Sequence, residues 1–241
     1  MGKDSGPANA LALDPGYTGR DNLEAMRDAH NYNAWLRNLV TTRAKKSDHI
    51  VDFGAGCGTF AAMLAGLGYD ITCIEPDEPL RAEITRAGLK SFSSAEGLQP
   101  DSIDFVYTYN VLEHIENDNA QVKALASILK PGGSLLIFVP AFEGLYSAMD
   151  AKVGHFRRYR RAGVVRMLER NGLKIDFVHY GDTAGFFASA LYKFIDPGTG
   201  DIDPRTLKFF DRYLFPINRI LDPLCMRLLG KNLIAVATKH V

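Results

Sequence analysis

Cysteine is scarce in this chain: three among 241 residues, at positions 57, 73 and 225, with no Cys-x-x-Cys spacing. An odd, scattered set argues against a disulfide framework or a zinc site and is expected of reduced thiols in a cytoplasmic protein. Net charge is lacking as well, since 28 basic side chains meet 28 acidic ones. A general nucleic-acid binder carries a basic surplus, so bulk charge gives no support for a nucleic-acid partner. Long apolar runs are missing too. The longest, Ala184 to Ile195, is shorter than the roughly 18–20 residues of a membrane span and carries Lys193. Residues 1–20 are polar, lack the apolar core of a signal peptide, and are expected to form a flexible arm. No Ser/Gly-rich or Pro-rich linker divides the remainder, so 21–241 is expected to fold as a single domain.

What is present is a strong alternation of periods. Apolar residues recur at helical spacing over 21–46, through Leu23, Met26, Tyr32, Trp35, Leu36, Leu39 and Val40. Short strand-like runs follow at 50–53, 70–75, 90–93, 102–109 and 134–139, separated by helical stretches at 59–67, 76–87 and 117–129. This order predicts an α/β fold, with a doubly wound, mostly parallel sheet covered on both faces. Beyond it lie a helix near 161–171, a strand near 173–180, helical stretches at 183–196 and 205–229, and a last strand at 233–238.

Ligands of such sheets lie over the carboxyl ends of the strands. Val51 to Gly58 (VDFGAGCG) places glycines where the chain must turn sharply and bring bare backbone to a ligand. A dinucleotide fingerprint would want a third glycine where Thr59 stands. Asp52, two residues before the first glycine, would repel a pyrophosphate but favour a ligand bearing ammonium and sulfonium cations. Glu75, ending the second strand, is placed to accept both hydroxyls of a ribose. The plainer alternative is that Asp52 caps the next helix and the glycines only make a turn.

The successive segments VDFGAGCGTF, CIEPDE (73–78), SSAEGL (93–98), DFVYTYNVLEHI (104–115) and LKPGGSLLIFVPA (129–141) resemble, in order and spacing, the motifs of class I S-adenosylmethionine-dependent methyltransferases. The resemblance covers roughly residues 30–180. It implies a seven-stranded, Rossmann-like sheet of order 3-2-1-4-5-7-6 with an antiparallel final strand, and S-adenosyl-L-methionine as cofactor. It implies that Asp52, Gly54 and Gly56 hold the methionine end and Glu75 the ribose, with Pro76 and Asp77 just beyond. Ala95 and Glu96 would lie beside the adenine, and Asn110 and Val111 would flank the cofactor. HNYNAWL (30–36) resembles the leading helix of a bacterial subgroup, in which Tyr32 would approach the methionyl carboxylate; the alternative is a core tyrosine.

On the acceptor side, His114, His155 and Tyr159 are the candidates for moving a proton. Tyr109, Glu113, Tyr146, Arg157 and Arg158 are the candidates for holding the acceptor. In methyltransferases of ubiquinone-type biosynthesis an E-x-x-E-H run after the fourth strand binds a divalent metal. Asn110 here replaces its first acid, so no metal is expected. The run Asp150–Arg161 (DAKVGHFRRYRR), which resembles a bacterial GHxRRY-type loop, reads either as a solvated basic face or as a clamp for an anionic group. Residues 181–231 form an apolar helical insertion before the last strand. It is expected to cap an apolar acceptor pocket, with a homodimer interface or a peripheral membrane contact as alternatives. The expected activity is methyl transfer to a small-molecule acceptor, amphipathic or lipid-like, with an apolar body and an anionic group. An NAD(P)-dependent oxidoreductase and a non-catalytic, cofactor-binding interaction protein are the competing readings.

Overall fold

The structure, a computed structural model, describes residues 26–195 and 203–240. The expected arm at 1–20 and the first residues of the leading helix lie outside the described residues. Helix α1 (His30–Thr41) precedes β1 (His49–Phe53), α2 (Thr59–Gly66), β2 (Asp70–Ile74), α3 (Glu78–Arg86) and β3 (Lys90–Phe92). Next come β4 (Ile103–Tyr109), α4 (Asp118–Ile128), β5 (Leu129–Pro140), the short α5 (Ala148–Lys152), α6 (Arg161–Arg170) and β6 (Leu173–Gly181). The inserted α7 (Thr183–Ile195), α8 (Pro204–Phe209) and α9 (Asn218–Cys225) lead to β7 (Asn232–Lys239). The seven strands form one sheet in the order β3-β2-β1-β4-β5-β7-β6. Strand β7 runs antiparallel to both its neighbours. Fold and strand order are those expected from the motif order.

The pleat sorts the core into two layers. Val51, Phe53, Val106, Ile137 and Leu233 face one layer with helices α4 and α6. Ile50, Phe105, Tyr107, Phe138 and Ile234 face the other with α1 and α2. Phe138 is fully buried. A ring so placed contributes about 1.5–3 kcal/mol of burial. Lys130-Pro131-Gly132-Gly133, between the helical stretch expected at 117–129 and the strand expected at 134–139, is drawn into β5, and the β4–β5 register skips between Ile103 and Phe105. Gly133 is required there, because a Cβ would stand 2.9–3.1 Å from three backbone carbonyl oxygens.

The single helix expected over 205–229 is broken into α8, a π turn, a 3-10 turn and α9. Pro216 lacks a backbone donor and sits in the 3-10 turn where the run is interrupted, whereas Pro223 is accommodated inside α9. The insertion leaves the carboxyl end of β6 and enters β7 beside the carboxyl end of β5. It therefore sits at the edge of the sheet where ligands of this architecture bind.

Candidate active site

The strand ends on the first half of that edge bring glycine backbone and carboxylates together. Gly54, Gly56 and Gly58 all have positive φ, at 78°, 55° and 77°. A Cβ on Gly54 would stand 2.3 Å from Val111, so glycine is needed both for the turn and for the approach of the loop after β4. The Glu75 carboxylate accepts the Gly56 amide at 2.7 Å and the Asp77 amide at 2.9 Å, which aims it along the glycine loop. Asp77 is the N-cap of α3, its side chain accepting from the Leu80 amide at 3.0 Å. Its carboxylate is thus engaged with the helix rather than free for a ligand. Ala95 is buried in a short 3-10 turn at the rim, while Glu96 and Pro76 remain wholly or partly exposed there.

Asp52 is buried, and its Oδ2 has no hydrogen-bond partner among the described residues. Burial pushes its carboxyl up to about 7. The Tyr107 hydroxyl lies beside this carboxylate, and the unpartnered Oδ2 is what a cationic ligand group would satisfy. Asp52 does not cap α2, since no side chain caps that helix. Tyr32 packs as a core tyrosine: its ring lies against Trp35, Phe138 and Phe215, and its hydroxyl reaches the Asn110 side chain after β4. Asn110 itself takes a left-handed backbone, with φ 53°. Phe142 after β5 and Asp182 after β6 do the same, at 61° and 60°. Non-glycine residues held this way at three successive strand ends are the kind of strain that functional edges retain.

A family model described as a methyltransferase domain matches residues 23–177, well over half of the chain. The chain belongs to this methyltransferase-domain family. Its methyl donor is S-adenosyl-L-methionine, and the orphaned Asp52 oxygen and the oriented Glu75 fit that cofactor. The ubiquinone biosynthesis O-methyltransferase of Xanthomonas euvesicatoria is 32% identical over 119 residues, 45% of this chain and 50% of that protein. The match thus spans about half the length of that relative. A methyltransferase from Archaeoglobus fulgidus superposes with a TM-score of 0.59 at 16% identity, covering 91% of this chain and 99% of that one. Phosphoethanolamine N-methyltransferase 2 of Haemonchus contortus, solved with S-adenosyl-L-methionine, gives 0.62 at 15%, covering 98% and 62%. These two share the fold.

The candidate acceptor side is assembled from the loops after β4 and β5. His155 Nδ1 lies 2.6 Å from Asp150 Oδ1. Asp150 also receives Arg158 Nε at 3.0 Å, Arg158 Nη2 at 2.9 Å and the Ser147 amide at 2.9 Å. Hydrogen bonds from His155 and Arg158 hold its carboxyl far below the usual range despite burial. With Nδ1–H donated to Asp150, Nε2 is left as the unprotonated nitrogen, 3.9 Å from Glu113. Glu113 is fully buried, neither of its oxygens has a hydrogen-bond partner among the described residues, and burial raises its carboxyl to about 8. The rings of His114 and His155 meet edge to face at 4.6 Å. Burial and the neighbouring His155 lower His114 to about 4.

Glu113, His114 and His155 each bring one ligand atom within 4.8 Å of the others. Two imidazoles and a carboxylate could hold a divalent ion. The expectation of no metal was argued from Asn110; it counted only residues near in sequence, and His155 comes from a different loop.

The remaining candidates are committed to the protein itself. Arg158 is buried on Asp150 and the Ala141 carbonyl. Arg157 pairs with Asp118 at 2.9 Å and donates to the Glu116 carbonyl at 2.7 Å. The clamp expected of these two arginines is therefore corrected: both guanidinium groups answer protein acceptors. Tyr159 donates to Asp118 at 2.9 Å, Tyr146 to the His155 carbonyl at 2.7 Å, and Tyr109 to the Leu36 carbonyl at 2.8 Å. These three brace the loops. Asp150 is the residue that sequence reasoning passed over, although a lone acid opening a run of arginines around a histidine was the available signal.

Proposed function

We propose that the chain transfers the methyl group of S-adenosyl-L-methionine to a hydroxyl oxygen of a small, largely apolar molecule, with His155 as general base. The observation that carries this is the Asp150–His155 pair, which stands beside Glu113 and His114 on the loop whose Val111 packs on the glycine turn. The bound cofactor supplies a methyl group on a sulfonium. His155 Nε2 takes the proton from the acceptor hydroxyl as the oxygen lone pair forms the new O–CH3 bond. The S–CH3 electrons stay on sulfur, and a neutral thioether leaves.

Asp150 fixes the tautomer and steadies the imidazolium that forms, the part an orienting carboxylate plays in any acid–histidine pair. His114, held near 4, is the weaker base of the two. Glu75 and Asp52 orient the donor, and much of the acceleration would come from holding donor and acceptor in line. The O-methyltransferase name of the Xanthomonas relative agrees with an oxygen acceptor. Phe142, stacked on Tyr180 at 4.6 Å and edge-on to Phe186 at 5.5 Å, supplies apolar surface at the ends of β5 and β6.

The test is a screen of phenolic and aliphatic alcohols with radiolabelled cofactor, followed by His155→Gln on the best acceptor. Turnover should drop about 10²–10⁴-fold, with affinity for S-adenosylhomocysteine unchanged. Turnover within about threefold of the parent would remove His155 from the role.

A further inference from the structure

The inserted segment is turned inside out. In a surface helix of a water-soluble protein the apolar stripe faces the core and the polar side faces water. Helix α9 does the reverse. Its Asn218 is buried, accepting the Ala184 amide at 2.7 Å and donating to Asp182 at 2.7 Å. Asp222 accepts the Asp182 and Thr183 amides at 3.1 and 2.9 Å, closing the start of α7. Asp211, in the turn before α9, is buried and accepts the Asn31 and Tyr32 amides at the start of α1. With the polar groups spent inward, the apolar ones face out. Ile220, Leu224 and Leu228 are 70–75% exposed, and Phe187, Leu191 and Phe209 are 57–63% exposed. The expected burial of these groups as a cap is therefore not what the chain does with them.

Exposed charge along the inserted segment is mostly of one sign. Between 203 and 231 the exposed ionic side chains are Arg205, Lys208, Arg212, Arg219 and Arg227 against the single acid Asp203. Lys208 is partly offset by Asp28 at 2.8 Å. Two copies of the chain brought together here would set arginine against arginine, which disfavours a symmetric dimer. A bilayer with anionic headgroups offers both things this surface lacks: hydrocarbon for the stripe and negative charge for the arginines.

We infer that the inserted helices dock this protein on an anionic membrane surface, lying in its plane. No helix among the described residues is long and apolar enough to cross a membrane. The surface adjoins the acceptor side, because Lys193 on α7 donates to the Gly144 carbonyl in the loop after β5 at 2.8 Å. An apolar acceptor dissolved in the bilayer would then reach the site without crossing water. The docking itself does not depend on the methyl-transfer reading, and its test involves no turnover.

The test is co-sedimentation of the full chain with vesicles of phosphatidylcholine alone or mixed with phosphatidylglycerol. Partitioning should be at least about tenfold stronger onto the mixed vesicles and should weaken with salt. The triple replacement Ile220→Glu, Leu224→Glu, Leu228→Glu should abolish it while leaving the melting temperature and S-adenosylhomocysteine affinity unchanged. Arg212→Ala, Arg219→Ala, Arg227→Ala together should erase the preference between the two vesicles, a readout that holds should the first variant misfold. Equal partitioning of parent and folded triple-glutamate variant would overturn the inference. So would failure to bind either vesicle, with a dimer in solution that the triple-glutamate variant splits.

Discussion

On the cofactor side of the sheet edge, each functional group sits within a residue or two of the strand end that carries it. Asp52 and Glu75 close β1 and β2, and Glu75 is aimed by amides of the glycine loop and of Asp77. On the acceptor side the groups come from loops far apart in sequence. His155 and Asp150 follow β5, Glu113 and His114 follow β4, and the Phe156 amide bonds the Glu113 carbonyl at 2.8 Å to tie the two loops together. The first half is held by backbone geometry and the second by buried charge. A site held by charge should fail more abruptly, because removing one partner strands the others in low dielectric.

Asp150→Ala is the sharpest way to break that contrast. Arg158 and His155, with side chains 3% and 8% exposed, would lose their shared carboxylate. The expected loss is about 3–5 kcal/mol of unfolding free energy, read by urea denaturation. Asp150→Asn keeps the shape and should lose less. Equal, small losses in both would mean water takes the place of the carboxylate and the acceptor half is no more fragile than its neighbour.

Gly54→Ala probes the other half. It meets Val111 at 2.3 Å and a positive φ together, so a loss of about 2–4 kcal/mol is expected. In a Val111→Ala background the steric part should disappear, making the same substitution milder by about 1–2 kcal/mol. A cost that did not change between backgrounds would assign the whole effect to backbone strain.

This contrast also explains what could be read from the sequence. Strand order followed from the family resemblance, whereas the places of the glycine turn, Asp52 and Glu75 were legible because a strand end positions its side chains through local geometry. Asp52, expected at the end of the first strand, lies there and is buried. Arg158 was misjudged for the opposite reason. Its sequence neighbours are Arg157, Arg160 and Arg161, which read as a basic patch, yet its partner Asp150 lies eight residues earlier in α5 and turns it inward. Side-chain direction in an irregular loop depends on tertiary contacts that no period reports. The insertion shows the same limit: its apolar content was plain, but which face met the protein was decided by Asp211, Asn218 and Asp222 finding amides at two helix starts.

The effect that is smallest per step, at most about 1.4 kcal/mol per pH unit for each group, is on the pH dependence of stability, and it separates the halves within one titration. Burial raises Asp52 to about 7 and Glu113 to about 8, whereas in the unfolded chain both carboxyls titrate near their ordinary values. Above those ordinary values the folded protein keeps protons that the unfolded chain has released. Stability therefore falls as pH rises, by up to about 1.4 kcal/mol per unit for each group, until each is ionised in both states. Asp52→Asn should flatten the part of the slope that ends near 7, and Glu113→Gln the part that continues to about 8. Unfolding free energies measured from about pH 5 to 9 would show both breaks. S-adenosylhomocysteine, whose ammonium would pair with an ionised Asp52, should remove only the first. Zinc or manganese held by Glu113, His114 and His155 should remove only the second, since a metal needs that carboxylate charged. If either ligand removed both breaks, the two halves would be one coupled electrostatic unit, and the division between a backbone-held and a charge-held site would not stand.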